Sequence, residues 1–145
     1  MVQTSEHLLV VFVLLINNNI NIMANFFKCI HCGNVVMKVV DMGVDIECCG
    51  DTMHPLKANT EEASVEKHLP VVTHIDESRI RVDVGSEPHP MSSEHHIAFI
   101  YVETAHGGIR IDLNDKPGAI VCLCHDKPIA VYAYCNLHGL WKTKV

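Results

Sequence analysis

With 145 residues, 48% of them hydrophobic, the chain holds material for one compact domain, or for one domain with a small satellite. A net charge of −6 provides no basic footprint for a phosphate backbone, and 6% aromatic content leaves little to stack on bases, so no nucleic-acid partner is expected. Against that background the 7 cysteines and 11 histidines stand out, since both side chains ligate metals. An odd number of cysteines argues against a fully paired disulfide framework. Their tight spacing favours metal binding in a reducing compartment, read here as the cytoplasm.

In chain order, residues 1–22 come first. Leu8–Ile16 is an apolar run of nine, well short of the roughly 20 residues that span a bilayer, so no membrane partner is expected. The lead-in carries Glu6 and His7 without Lys or Arg, and the run ends in Asn17-Asn18-Asn19. A secretory signal wants a basic leader and a small-residue cleavage site. The segment therefore reads as an upstream extension before a start at Met23, or as a poorly packed helix. A targeting signal is the alternative.

Residues 23–58 contain four of the seven cysteines and only short apolar stretches. Such a segment has too little core to fold alone, and a metal would supply the missing stability. Cys29-x2-Cys32 is followed by Gly33, and Cys48-Cys49 by Gly50, giving C-x2-C-x15-C-C. Four thiolates at this spacing suit a tetrahedral zinc or iron. The vicinal pair departs from the two CxxC knuckles usual in zinc ribbons and shifts the balance toward iron, which can pass single electrons.

Residues 59–68 are polar and read as a linker. From Leu69 onward the pattern is strand-like. Ile80, Val82 and Val84 alternate with Arg79, Arg81 and Asp83, and Ile109, Ile111 and Leu113 alternate again. Ile97–Val102 looks like a strand buried on both faces, with Ile97, Phe99 and Tyr101 opposing Ala98, Ile100 and Val102. Ala119–Cys124 and Ile129–Tyr134 are two more apolar runs, and Ala105-His106-Gly107-Gly108 and Asp115-Lys116-Pro117-Gly118 supply turns. The fold class expected is mainly β: a small metal module at 23–58, then an immunoglobulin-like antiparallel β-sandwich at 59–145.

Three short clusters fall where strand-end loops are expected: Glu66-Lys67-His68, His89-Pro90-Met91 with His95, and Cys135-x2-His138. A lone loop histidine is usually solvated, but loops at one end of a sandwich can converge. His68, His89, His95 and His138 would then join Cys135 as four imidazoles and one thiolate around a second iron. Five ligands leave one octahedral position open. A thiolate opposite that position pushes electron density toward a bound dioxygen species, as in thiolate-ligated haem. Lys67 would focus an anionic substrate onto the site, and Glu66 would take the open position once the iron is oxidised. An ordinary solvated charge pair is the alternative for both.

Taken together, Cys29-x2-Cys32 with Cys48-Cys49, Glu66-Lys67-His68-Leu69-Pro70, His89-Pro90-Met91 with His95, and Tyr134-Cys135-Asn136-Leu137-His138-Gly139-Leu140-Trp141 resemble the desulfoferrodoxin family of two-iron superoxide reductases. The resemblance runs from about Phe27 to Trp141. It implies a desulforedoxin-like iron module ahead of an immunoglobulin-like sandwich that carries the catalytic iron. It further implies one-electron reduction of superoxide to hydrogen peroxide, with Lys67 assisting superoxide and Glu66 as sixth ligand. A rubredoxin-like electron donor and a homodimer follow from the same resemblance.

His96 follows His95 where the family often has an aromatic residue, and spacing from His89 favours His95 as the ligand. Cys122 and Cys124, two apart on an expected strand, read as packed core thiols. His31, His54, His74, His106 and His125 are left to surface or turn positions. A pure electron carrier, or a structural zinc knuckle joined to a sandwich, are the competing readings. The carrier leaves Cys135 and His138 without a role.

Overall fold

Alternation places Ile80, Val82 and Val84 on one face of a strand, and in the computed structural model, which describes residues 24–145, all three are buried while Arg79 and Arg81 are exposed. The expectations for residues 1–22 and for a start at Met23 lie outside the described residues. In chain order the elements are β1 (Asn25–Lys28), β2 (Val35–Lys38), β3 (Glu47–Cys48), β4 (Asp51–Thr52), β5 (His54–Pro55), a single helical turn α1 (Val65–His68), β6 (Pro70–Asp76), β7 (Arg79–Val84), β8 (Ile97–Thr104), β9 (Gly107–Asp112), β10 (Gly118–Cys122), β11 (Pro128–Cys135) and β12 (Gly139–Lys144). Among the described residues no helix is long and apolar enough to cross a membrane.

Seven strands make the sandwich. A three-stranded antiparallel sheet ordered β10-β7-β6 packs against a four-stranded antiparallel sheet ordered β12-β11-β8-β9. Their shared core draws Ile80, Val82 and Val84 from β7, Val121 from β10, Ile97, Ile100 and Val102 from β8, and Val131, Ala133 and Cys135 from β11. Cys135 is thus the last inward position of a strand whose inward residues are otherwise apolar.

Strand β8 departs from the alternation expected of it. Tyr134 pairs with Phe99 but Cys135 pairs with Ile97, so Ala98 is an extra residue in β8. This bulge brings Ile97 and Ile100 onto the same inner face, and it sits directly beside Cys135.

The outer face of the four-stranded sheet is also apolar. Phe99, Tyr132, Tyr134 and Leu140 form a second cluster there, capped by Phe26 from β1. The Phe26 ring lies 5.7 Å from Phe99, 5.6 Å from Tyr101 and 5.7 Å from Tyr132. The cysteine-rich segment, which lacks a core of its own, borrows one from the sandwich. β1 also anchors a small sheet ordered β2-β1-β5, and β3 and β4 form a separate hairpin.

Two segments differ from the sequence expectation. The polar stretch after residue 58 is fastened rather than loose: Asn59 exchanges side-chain hydrogen bonds with the backbone of Lys142, at 3.0 and 2.8 Å, along the edge strand β12. Cys122 and Cys124 are exposed, not packed in the core. They do share a face, but Val121 and Leu123 are the residues that point inward, which leaves both thiols outside.

Candidate metal centres

The four-cysteine group is built by two hairpin turns. Cys29 directly follows β1 and its amide donates to Asn34 O at 2.9 Å, while Gly33 N returns to Cys29 O at 3.0 Å, folding Cys32 back toward Cys29. Cys48 ends β3, and Cys49-Gly50 is the two-residue loop to β4. Both loop residues have positive φ, 56° and 84°, as a type I′ hairpin turn requires. The vicinal Cys-Cys-Gly sequence is therefore a turn signal as well as a pair of candidate donors. Cys32 Sγ lies 3.6 Å from Cys48 Sγ, and Cys48 Sγ lies 3.9 Å from Cys49 Sγ. All four sulfurs fall within 4.8 Å of one another.

The second group gathers at one end of the sandwich. His68 comes from α1, His89 and His95 from the connection between β7 and β8, Cys135 from the end of β11 and His138 from the turn into β12. One donor atom from each of these five residues lies within 4.8 Å of the others. His68 Nε2 is 3.0 Å from His138 Nδ1, and Cys135 Sγ is 3.6 Å from both His89 Nε2 and His138 Nδ1. Cys135 is fully buried, and His68 and His89 nearly so.

Backbone carbonyls fix the imidazoles. His68 Nδ1 donates to Ser64 O at 2.7 Å, one turn back, and His89 Nδ1 donates to Pro90 O at 2.6 Å. Each leaves its Nε2 unprotonated and aimed inward, the arrangement found behind metal-ligating histidines. Trp141 stacks on the His68 ring at 4.9 Å, and its Nε1 donates to His138 O at 2.9 Å. Asn136 joins the loops: its Nδ2 donates to Glu94 O and its Oδ1 accepts from His96 N, both at 2.9 Å. The motif carrying Asn136 and Trp141 is plain in the sequence, but these supporting roles depend on contacts that spacing does not reveal. His96 turns its Nδ1 to Ser92 O, 3.0 Å away, and stays outside the five-donor group.

Gly85 holds the α1 turn against the end of β7. Its amide donates to Leu69 O at 2.9 Å, and its φ is +84°. A Cβ at this position would meet Glu87 O and come within 2.7 Å of Lys67 O and 2.8 Å of Glu66 O. Only glycine permits that approach. Glu66 and Lys67 themselves are exposed on α1, and neither belongs to the five-donor group. The Glu66 carboxyl is held below its usual range, first by a backbone hydrogen bond of its own residue and then by Ser64.

Both groups have the character of cation sites. His95 Nε2 is buried without a hydrogen-bond partner, the one such side-chain atom among the described residues. An orphaned imidazole nitrogen facing three others and a thiol is satisfied by a metal ion. Burial lowers the proton affinity of His68, His89 and His95, His89 to about 4, so all three are neutral donors at neutral pH. In the other group the Cys32 amide pulls the Cys29 thiol down to about 6, while hydrogen bonding with Cys32 and its neighbours pushes Cys49 up to about 12. Four clustered sulfurs do not all ionise unless a cation compensates them. A set of four thiolates and a set of four imidazoles with one thiolate both fit iron.

Comparison with known proteins agrees with this chemistry. The family model for Desulfoferrodoxin matches residues 60–144. Desulfoferrodoxin from Nitratidesulfovibrio vulgaris is 39% identical over 122 residues, covering 81% of this chain and 94% of that one. A Desulfoferrodoxin homolog from Methanothermobacter thermautotrophicus is 41% identical over 118 residues, covering 79% of this chain and 94% of that one. The crystal structure of the superoxide reductase from Treponema pallidum superposes with a TM-score of 0.70 at 30% identity, covering 84% of this chain and 99% of that one. On sequence and on fold, the chain belongs to the desulfoferrodoxin family.

Proposed function

We propose that this chain is a superoxide reductase that converts superoxide and one electron, with two protons, into hydrogen peroxide. The observation that carries the reading is the convergence of four imidazole nitrogens and one buried thiol at a single end of the sandwich. We assign His68, His89, His95, His138 and Cys135 to the catalytic iron, and Cys29, Cys32, Cys48 and Cys49 to a second iron that relays electrons. Residues 23–58 form the relay module in this reading, and residues 59–145 the catalytic domain. When bound, iron supplies a one-electron couple.

The chain's own residues do the rest. Carbonyls of Ser64 and Pro90 hold the His68 and His89 protons at Nδ1, so their Nε2 atoms stay available. Trp141 covers the His68 ring and keeps bulk water from that side. Lys67, exposed beside His68, draws the anionic substrate toward the site by electrostatic focusing. Glu66 is assigned as the carboxylate that displaces product, and its lowered proton affinity keeps it ionised for that role. The electron donor is assigned as a rubredoxin-like carrier, the assembly as a homodimer and the compartment as the cytoplasm.

Metal analysis and turnover test this together. Protein purified without oxygen is expected to hold two irons per chain, with a tetrathiolate spectrum and a separate thiolate-to-iron band. Given superoxide in limiting amount, it should yield one peroxide per superoxide and no oxygen. A zinc-only protein without colour, or release of oxygen, would overturn the reading.

A further inference from the structure

Cys122 and Cys124 take no part in either metal group, yet their sulfurs lie 3.8 Å apart on the surface. Two features of the fold create this pairing. Cys122 ends β10 on its outer face, where Ile120 is also exposed, while Val121 and Leu123 fill the core. The chain then leaves the strand with Cys124 at φ 50° and His125 at φ 67°. A left-handed conformation is costly for a residue with a Cβ, and here it swings the second thiol back over the first.

The pair lies at the opposite end of the sandwich from the five-donor group. Cys122 pairs with Arg79 at the start of β7, whereas Val84 and Gly85, at the far end of β7, support α1. The turn that follows the thiols is pinned, with Asp126 accepting from His106 and Ser78 contacting His125 at 3.3 Å. The thiols therefore flank a pinned turn with their sulfurs already 3.8 Å apart.

We propose that Cys122 and Cys124 form a redox-active dithiol that closes to an intramolecular disulfide when oxidised by hydrogen peroxide. The Cys122 thiolate attacks one peroxide oxygen; the O–O bond breaks, hydroxide leaves and takes up a proton to become water, and Cys122 becomes a sulfenic acid. Cys124 then attacks that sulfur, the S–S bond forms at about 2.05 Å and a second water leaves. The two thiols lose two electrons and two protons, and one peroxide becomes two waters. Hydrogen bonding with Cys122 raises the proton affinity of Cys124. The site stands on its own thiols. The superoxide reductase reading adds only a nearby source of peroxide.

The test uses the full-length, metal-loaded chain, reduced and then exposed to a stoichiometric amount of hydrogen peroxide without oxygen. Free thiols are alkylated in denaturant, the protein is reduced, and newly freed thiols take a second label before fragment mass spectrometry. The expected result is loss of two hydrogens from the intact mass, with the second label on Cys122 and Cys124 alone. C124S should stop disulfide formation and leave a sulfenic acid on Cys122 that dimedone traps, while the tetrathiolate spectrum is unchanged. Both thiols remaining open to the first label, or either one pairing with a different cysteine, would overturn the proposal. These outcomes are read from thiol labels, so a protein without superoxide reductase activity gives the same answer.

Discussion

His68 and His89 meet through their Nε2 atoms, 3.1 Å apart, while each commits its Nδ1 proton to a backbone carbonyl. With the proton fixed on the far side of each ring, two lone pairs face each other across the gap. That contact is repulsive until a cation lies between the nitrogens. The fold thus holds its donors in a poised arrangement that metal relieves.

Acid should therefore find the metal-free chain at this cluster. His89 accepts a proton near 6.5 when unfolded and only at about 4 when folded, because burial penalises its charge. Between those values the unfolded chain binds more protons, so stability is present above pH 6.5 and falls as pH drops toward 4. Urea midpoints of the chelated protein across that window should decline steadily toward acid. A flat profile would mean the His89 ring is solvated.

Replacing the buried sulfur separates the two metals. Cys135→Ser is expected to abolish superoxide reduction and the thiolate-to-iron band, while the tetrathiolate spectrum of the other group survives. Retention of full activity would remove Cys135 from the catalytic set.

Lys67 is exposed and acts, in the proposed mechanism, through its charge alone. Lys67→Ala should slow the second-order reaction with superoxide and flatten its dependence on salt, because screening has less to remove. Stopped-flow or pulse-radiolysis rates at low and high ionic strength decide this. An unchanged low-salt rate would exclude it.

Gly85 reaches the same residues from beneath. Gly85→Ala puts a methyl against the carbonyls of Glu66, Lys67 and Glu87 at φ +84°. Backbone strain of this kind costs about 1–3 kcal/mol. The expected result is a lower denaturation midpoint and a slower reaction with superoxide, with the four-sulfur spectrum intact. Unchanged values for both would show that α1 yields without consequence.

Phe26→Ala removes the ring that joins the cysteine-rich segment to the outer face of the sandwich. Truncating a buried Phe costs about 3–5 kcal/mol. Hydrogen exchange should show β1, β2 and β5 losing protection before β7 and β8 do. Uniform loss across the whole chain would indicate a single cooperative unit.

The candidate metal donors were far more legible in the sequence than their supports. Residue type, spacing and the family resemblance pick out the nine residues that the structure gathers into two groups, and alternation identifies β7 because one face is buried. The bulge at Ala98 escapes that reasoning: both faces of β8 are apolar, so hydropathy carries no phase. β12 is obscured for a related reason, its lysines marking it as an edge rather than as a buried strand. The outward placement of Cys122 and Cys124 depends on which face of β10 meets the core, and Ile120 on the outside hides that from a reading by residue type.

The span of each donor set along the chain sets when each site can exist. The four sulfurs come from residues 29–49, so all of them are synthesised before His68, while Phe26 beside them waits for β8 and β11 to supply its packing. The five-donor set stretches from His68 to His138 and closes only after β7, β8 and β11 have paired. A ribosome still holding the C-terminal strand therefore displays all the sulfurs of the first group and only part of the second. Iron arriving during translation would meet four clustered sulfurs before the imidazole-rich group has gathered its last donors.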